Sequence, residues 1–117
     1  MLEGYRELID NGTANIATVS SDGQPNLATA SDVAVVSNNQ LIISHNEMRK
    51  TVDNIIAGGG ICMTIFDENW QGVRIFGKAE YFPDGEWFEK VKELFANENT
   101  DPKGAILVTV EKAERQI

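Results

Sequence analysis

The sequence is poor in the residues that carry most thiol and metal chemistry, with one cysteine, one histidine and three prolines in 117 residues. A lone Cys62 excludes an intrachain disulfide, and a lone His45 excludes bis-histidine haem ligation within one chain. Basic residues are also scarce: 10 Lys and Arg stand against 18 Asp and Glu, for a formal net charge of -8. Such a balance argues against a broad electrostatic grip on nucleic acid or an anionic membrane. No apolar run approaches the roughly 20 residues of a membrane-spanning helix, and "MLEGYRELIDNG" lacks the basic-then-apolar order of a secretory signal. The absences together predict a soluble, cytoplasmic protein with neither nucleic acid nor membrane as partner. Repeats and low-complexity segments are absent, and so are a Ser-His-Asp set, a metal-spaced His/Cys cluster and an acid-base pair. Metal ligation is therefore not expected, and no catalytic residue is assigned.

What is present suffices for an ordinary core: 42% of the residues are hydrophobic, enough for a single domain over residues 1–117. Leu2, Tyr5, Leu8 and Ile9 recur at helical spacing, and Gly12 follows as a terminator. "TANIATVS", the turn "SDGQP" and the β-type run "NLATASDVAVVS" read as two strands joined by a hairpin. "NN" at 38–39 predicts a tight turn into a third strand, "QLIIS", antiparallel to the second. Over 47–57, Met48, Val52, Ile55 and Ile56 mark one apolar face of a helix that the glycines at 58–60 end. "ICMTIF" reads as a strand buried on both sides, with Cys62 as a small buried hydrophobe, and "VRIFGKAEYF" as a second long strand. Gly77 inside the latter suggests a bulge or a close backbone approach. A helix capped by Asp84 stacks Trp87, Phe88, Val91, Leu94 and Phe95, and "AILVTV" makes a last strand before a polar tail from Glu111. The resulting order, α-β-β-β-α-β-β-α-β, contains six strands joined mostly by hairpins, which favours a small closed antiparallel barrel with flanking helices.

One local feature runs against helix electrostatics. In "HNEMRKT" the predicted cap, Asn46, is followed by Arg49 and Lys50, two cations at the positive end of the helix dipole. Backbone N–H groups there bind phosphate, and Arg49 as a forked donor, Lys50 as a point charge and Thr51 as a hydroxyl donor would complete a phosphate-monoester site. The competing reading is that both side chains extend into water beside Glu47 and Asp53. His45, just ahead of this helix, has two readings as well: a donor to a bound ligand, or a structural hydrogen bond.

"IATVSSDGQPNLAT", "IISHNEMRKT", "ICMTIF" and "VRIFGKAEYF", in this order, resemble the pyridoxamine 5′-phosphate oxidase-like family of FMN-binding split β-barrels, and within it the small FMN-binding proteins. The resemblance implies a six-stranded antiparallel split β-barrel and an FMN phosphate held at Arg49, Lys50 and Thr51. It further implies ribityl and ring contacts from Ile43, Ser44 and His45 and from Thr29, Ala30 and Ser31, with Gln71 as the nearest counterpart of a glutamine that reaches the flavin. Ala28 and Val33 stand where the oxidases carry an arginine and a lysine, and Ser31 where the small proteins carry an aromatic residue. The sequence also ends soon after its last strand, where the oxidases continue into a pyridoxal-phosphate-binding segment. The expectation is an FMN-dependent oxidoreductase or electron-transfer protein and not a pyridoxamine phosphate oxidase. Trp70 either stacks on the ring from a second subunit or covers the barrel mouth.

A small barrel filled by its own side chains leaves no interior room for FMN, so the cofactor is expected at the interface of a homodimer. Other classes stay open at this stage: a non-redox module for a phosphorylated ligand or nucleotide, a deazaflavin or haem binder using His45, or a structural dimer without cofactor. The redox partner or small-molecule substrate is not legible in the residues.

Overall fold

The structure is a computed structural model and describes residues 1–116. Its elements are α1 (Arg6–Asn11), β1 (Thr13–Val19), β2 (Pro25–Ala30), β3 (Val33–Ser37), β4 (Gln40–His45), α2 (Arg49–Ile56), β5 (Gly60–Phe66), β6 (Gly72–Phe82), α3 (Glu86–Leu94) and β7 (Gly104–Gln116). The seven strands form one sheet in the order β2-β1-β5-β6-β7-β4-β3, and each neighbouring pair is antiparallel. The mainly β, split-barrel expectation holds, with two corrections. Among the described residues there are seven strands, because the run at 26–37 breaks at Ser31–Asp32 into β2 and β3. The sheet is not closed by hydrogen bonds, since β2 and β3 remain its two edges.

Period-2 alternation sets what is buried. In β1 the buried residues are Ala14, Ile16 and Thr18, and in β5 they are Ile61, Met63 and Ile65. β5 is thus not buried on both faces: Cys62, Thr64 and Phe66 are half-buried on the other side, which corrects the reading of Cys62 as a core residue. The main core joins Ala14, Ile16, Ile61, Met63 and Ile65 to Leu41, Ile43, Val73, Ile75, Ile106 and Val108, with Val52 and Ile55 of α2 and Ile9 of α1 packed on it. A smaller cluster of Ile42, Val91 and Ala105 lies under α3, flanked by Trp87 and Phe95.

Gly77 marks a bulge. The β6–β7 register shifts between Phe76 and Gly77, and a Cβ at Gly77 would lie 2.4 Å from the Thr109 carbonyl oxygen, so any side chain would push the strands apart. The 37–40 turn pairs Ser37 with Gln40 around Asn38 and Asn39, as the dipeptide predicts.

Four boundaries differ from the sequence reading. α1 begins only at Arg6, and β7 runs on to Gln116, because the polar stretch after Glu111 pairs with β6 as far as Gly72. α3 is preceded by Gly85 at φ 88 and not capped by Asp84. α2 is preceded by Met48, since the Asn46 side chain is engaged elsewhere. No helix among the described residues is long and apolar enough to cross a membrane.

Candidate functional site

α2 presents its buried side, Thr51, Val52, Asn54 and Ile55, to the sheet and its first turn to the surface. Asn54 Nδ2 donates to Thr18 Oγ1 at 3.0 Å, a buried bond that fixes the helix on β1. Met48 at the N-cap has no side-chain oxygen, and no side-chain cap serves the first-turn N–H groups. Those donors are free for a ligand, and the first turn contains no acidic residue. Arg49 and Lys50 are exposed, and among the described residues neither forms an ion pair. Thr51 is fully buried and its Oγ1 accepts from Asn26 Nδ2 at 3.1 Å, which leaves its O–H available to donate.

A cleft of about 490 Å³ opens beside this helix start, which reaches it through Met48. One wall is the end of β2 and the following bend, with Thr29, Ala30 and Ser31. The floor is Ser44 and Asn46, and the far wall is the segment carrying Asn99, Thr100, Asp101 and Lys103. The walls are tied by a partly buried polar network centred on Asp32. Asp32, 4% exposed, accepts from Asn46 Nδ2 at 3.1 Å and from Thr100 Oγ1 at 3.4 Å. Ser44 Oγ donates to Asn46 Oδ1 at 2.8 Å, and the Ser44 N–H donates to the Asp32 carbonyl at 3.0 Å.

Lys50 points to a second recess of about 340 Å³, which it shares with Ser20, Asp22, Asn26 and Asp53. The Ser20 hydroxyl beside Asp22 holds that carboxyl below its usual range, and Lys50 contributes in the same sense. The first turn of α2 therefore stands between two polar recesses.

The structure brings Thr29, Ala30, Ser31 and Ser44 into one cleft that the start of α2 meets through Met48, whereas Arg49 and Thr51 do not line it and Lys50 lines the second recess. It does not bring Ile43, His45 or Gln71 there. Ile43 is fully buried in the main core. His45 Nδ1 lies 2.7 Å from the Tyr81 hydroxyl, with the rings in edge contact at 5.4 Å, so the structural reading of this histidine has its partner. Burial, followed by the nearby Lys103, pushes the His45 pKa below its usual value, while Asp53 opposes. Gln71 lines a separate groove of about 620 Å³ with Tyr5, Leu8 and Asp67, where its Oε1 accepts from Arg115 at 3.1 Å. Its neighbour Trp70 is 81% exposed at φ 61, a left-handed backbone that a bulky residue rarely adopts. The turn is held by Asp67, whose carboxylate accepts from the N–H groups of Asn69 at 2.9 Å and Gln71 at 3.0 Å.

Sequence reasoning missed Asp32, Thr100 and Lys103. The available signal was the Ser-Asp pair interrupting an apolar β run and the "TDPKG" turn just ahead of the last strand.

A model of the pyridoxamine 5′-phosphate oxidase family matches residues 1–116. The uncharacterized protein MJ0282 of Methanocaldococcus jannaschii is 29% identical over 106 residues, covering 87% of this chain and 71% of that protein. The crystal structure of HupZ from Group A Streptococcus superposes with a TM-score of 0.88 at 27% identity, over 98% of this chain and 93% of that one. An FMN-binding protein from Syntrophomonas wolfei shares the fold, with a TM-score of 0.83 at 21% identity over 99% and 86% of the two chains. With the split sheet and the helix-start cleft on the same scaffold, the match over nearly every residue places this chain in the pyridoxamine 5′-phosphate oxidase family.

Proposed function

We propose that the chain is an FMN-binding oxidoreductase or electron-transfer protein that holds its flavin in the cleft at the start of α2 and works as a homodimer. The observation that carries the reading is that start itself: uncapped N–H groups and two unpaired cations where helix electrostatics disfavours cations, beside a cleft of about 490 Å³. Arg49 and Lys50 would bind the phosphate, Thr51 would donate its hydroxyl, and Thr29, Ala30, Ser31 and Ser44 would line the remainder. The volume lies within the range of small-molecule pockets, and the cleft's open side leaves part of a tricyclic ring to be covered by another surface. The bound flavin supplies hydride or electron transfer, while the protein binds, orients and shields it.

The dimer is supported by the outer sheet face. Leu27, Ala17, Cys62 and Phe76 are cross-strand partners in one row, in which Leu27 is 70% and Phe76 36% exposed. Such a row is the kind of surface that association buries. Thr29, two residues along β2 from Leu27 on the same face, lines the cleft, so a second copy seated on this face would border the flavin.

The test is titration of the purified protein with FMN, followed by flavin fluorescence and by visible spectra before and after dithionite, together with sedimentation to fix the mass. Quenching that saturates at one FMN per chain, with a visible flavin band that dithionite bleaches, is the expected result. Unchanged fluorescence at micromolar protein, with no band after reconstitution, overturns the reading.

A further inference from the structure

The wall opposite α2 hangs on little. Between the end of α3 and the start of β7, among the described residues, the segment 96–102 makes, apart from the Thr100 N–H to the Glu98 carbonyl within itself and the Glu98 N–H to the neighbouring Phe95 carbonyl, one hydrogen bond to the rest of the fold: Thr100 Oγ1 to Asp32 Oδ2, spanning 68 positions. Its C-terminal end is pinned next door, where the Lys103 N–H donates to the His45 carbonyl at 2.7 Å and Lys103 Nζ to the Asn46 carbonyl. Asp32 is a buried carboxylate whose bonded partners, Asn46 and Thr100, are both neutral. Taking such a group out of water is costly unless donors reach it, and charge-assisted bonds to it are stronger than neutral ones. The charge therefore ties the bend after β2, the end of β4 and the 96–102 segment together, three of the pieces that line the cleft.

Resting on the flavin reading above, we propose that Asp32 is a positioning residue that straps the 96–102 segment across the cleft, and that closure of this strap sets how tightly the flavin ring is held. Asp32 acts through Thr100 and Asn46 and has no contact with the phosphate end, where Arg49 and Lys50 stand. Ring and phosphate affinity are then separable.

The experiment compares Thr100→Val, Thr100→Ser and Asp32→Asn with the parent protein, by hydrogen exchange of the 96–102 peptide and by fluorescence titration with both FMN and riboflavin. Thr100→Val is expected to speed exchange of that peptide several-fold and to weaken FMN and riboflavin equally, by about threefold, as loss of one long hydrogen bond at an exposed hydroxyl implies. The FMN-to-riboflavin affinity ratio stays constant, which a disturbed phosphate site would not allow. Thr100→Ser keeps the hydroxyl and restores both readouts, while Asp32→Asn, which keeps the shape with neutral bonds, falls between. Unchanged exchange in Thr100→Val overturns the strap, and faster exchange with unchanged affinity overturns its role in binding. If the parent protein binds neither flavin, the flavin reading falls together with the affinity half of this proposal, and exchange alone decides the strap.

Discussion

Two faces of the same strands differ in what covers them. On the inner face of β1, β5 and β6, Ile16, Met63 and Ile75 are fully buried or nearly so; beside them on the outer face Ala17 is exposed, Cys62 is half-buried and Phe76 is covered in part by Lys112 alone of the side chains described. Both rows are apolar, yet only the inner one is buried by folding. Apolar side chains left partly in water on an outer face bury less area on folding than their inner neighbours, which is the division that the proposed dimer would account for. The same division runs through α2, where Val52 and Ile55 hold the helix while Arg49 and Lys50 at its start are exposed and form no ion pair among the described residues.

The comparison breaks if neighbouring positions behave alike. Ile75→Ala, on the inner row, should destabilise the fold by about 2–5 kcal/mol through lost transfer and cavity terms, read as a lower denaturant midpoint with an unchanged slope. Phe76→Glu, the next residue, should leave the monomer's fold intact and shift the sedimenting species from dimer to monomer, a loss of roughly 2 kcal/mol or more if Phe76 sits centrally in the interface. If both variants lose the same stability, the division between the faces is wrong. For α2, Arg49→Ala with Lys50→Ala should weaken FMN by roughly tenfold to a hundredfold. The same change should raise the stability of the flavin-free protein slightly, by about 0.3–1 kcal/mol per removed cation, because neither charge then opposes the helix dipole. Opposite signs for binding and stability are the signature of charges retained for a ligand.

The smallest expected effect concerns His45. Burial lowers its folded pKa below the unfolded value of 6.5, so the unfolded chain binds the proton more tightly. The contribution of the neutral, Tyr81-paired ring is therefore complete above pH 6.5 and is lost as pH falls through the folded value. Denaturant midpoints measured from pH 7.5 down to 5 should decline in the parent protein and flatten in His45→Gln. An equal decline in both would show that another group titrates there.

Much of this division was legible in the residues, because period-2 and period-3.6 patterns record burial directly. β1, β4, α2 and α3 lie where alternation or an apolar stripe predicts them, β5 lies where its apolar run predicts a strand although only one of its faces is buried, and Gly77 marks a true bulge. What escaped detection depends on contacts distant in sequence. Asn46 resembles a helix cap by type and position, but its amide is taken by Asp32, so the helix starts later and uncapped. The β2–β3 break was hidden because β-type residues flank Ser31–Asp32 on both sides, and only the Asp32 partners reveal why the chain bends there. The polar end of β7 reads as a tail because exposed strand residues have no apolar pattern to give them away. For the site, the phosphate end could be read from a dipeptide that conflicts with helix electrostatics. The far wall could not, since Thr100 meets Asp32 only through the fold.

Trp70 gives the molecule an optical probe of its own. It stands at the tip of a tight turn, almost fully in water, whereas the other tryptophan, Trp87, is half-covered on α3 beside the smaller core cluster. In a chain with Trp87→Phe, the remaining indole would emit as a solvated group until some surface, a flavin ring or a second copy, came to lie over it. The colour of that emission would then report whether the turn at 67–71 is a bystander or a lid on the neighbouring subunit's cleft.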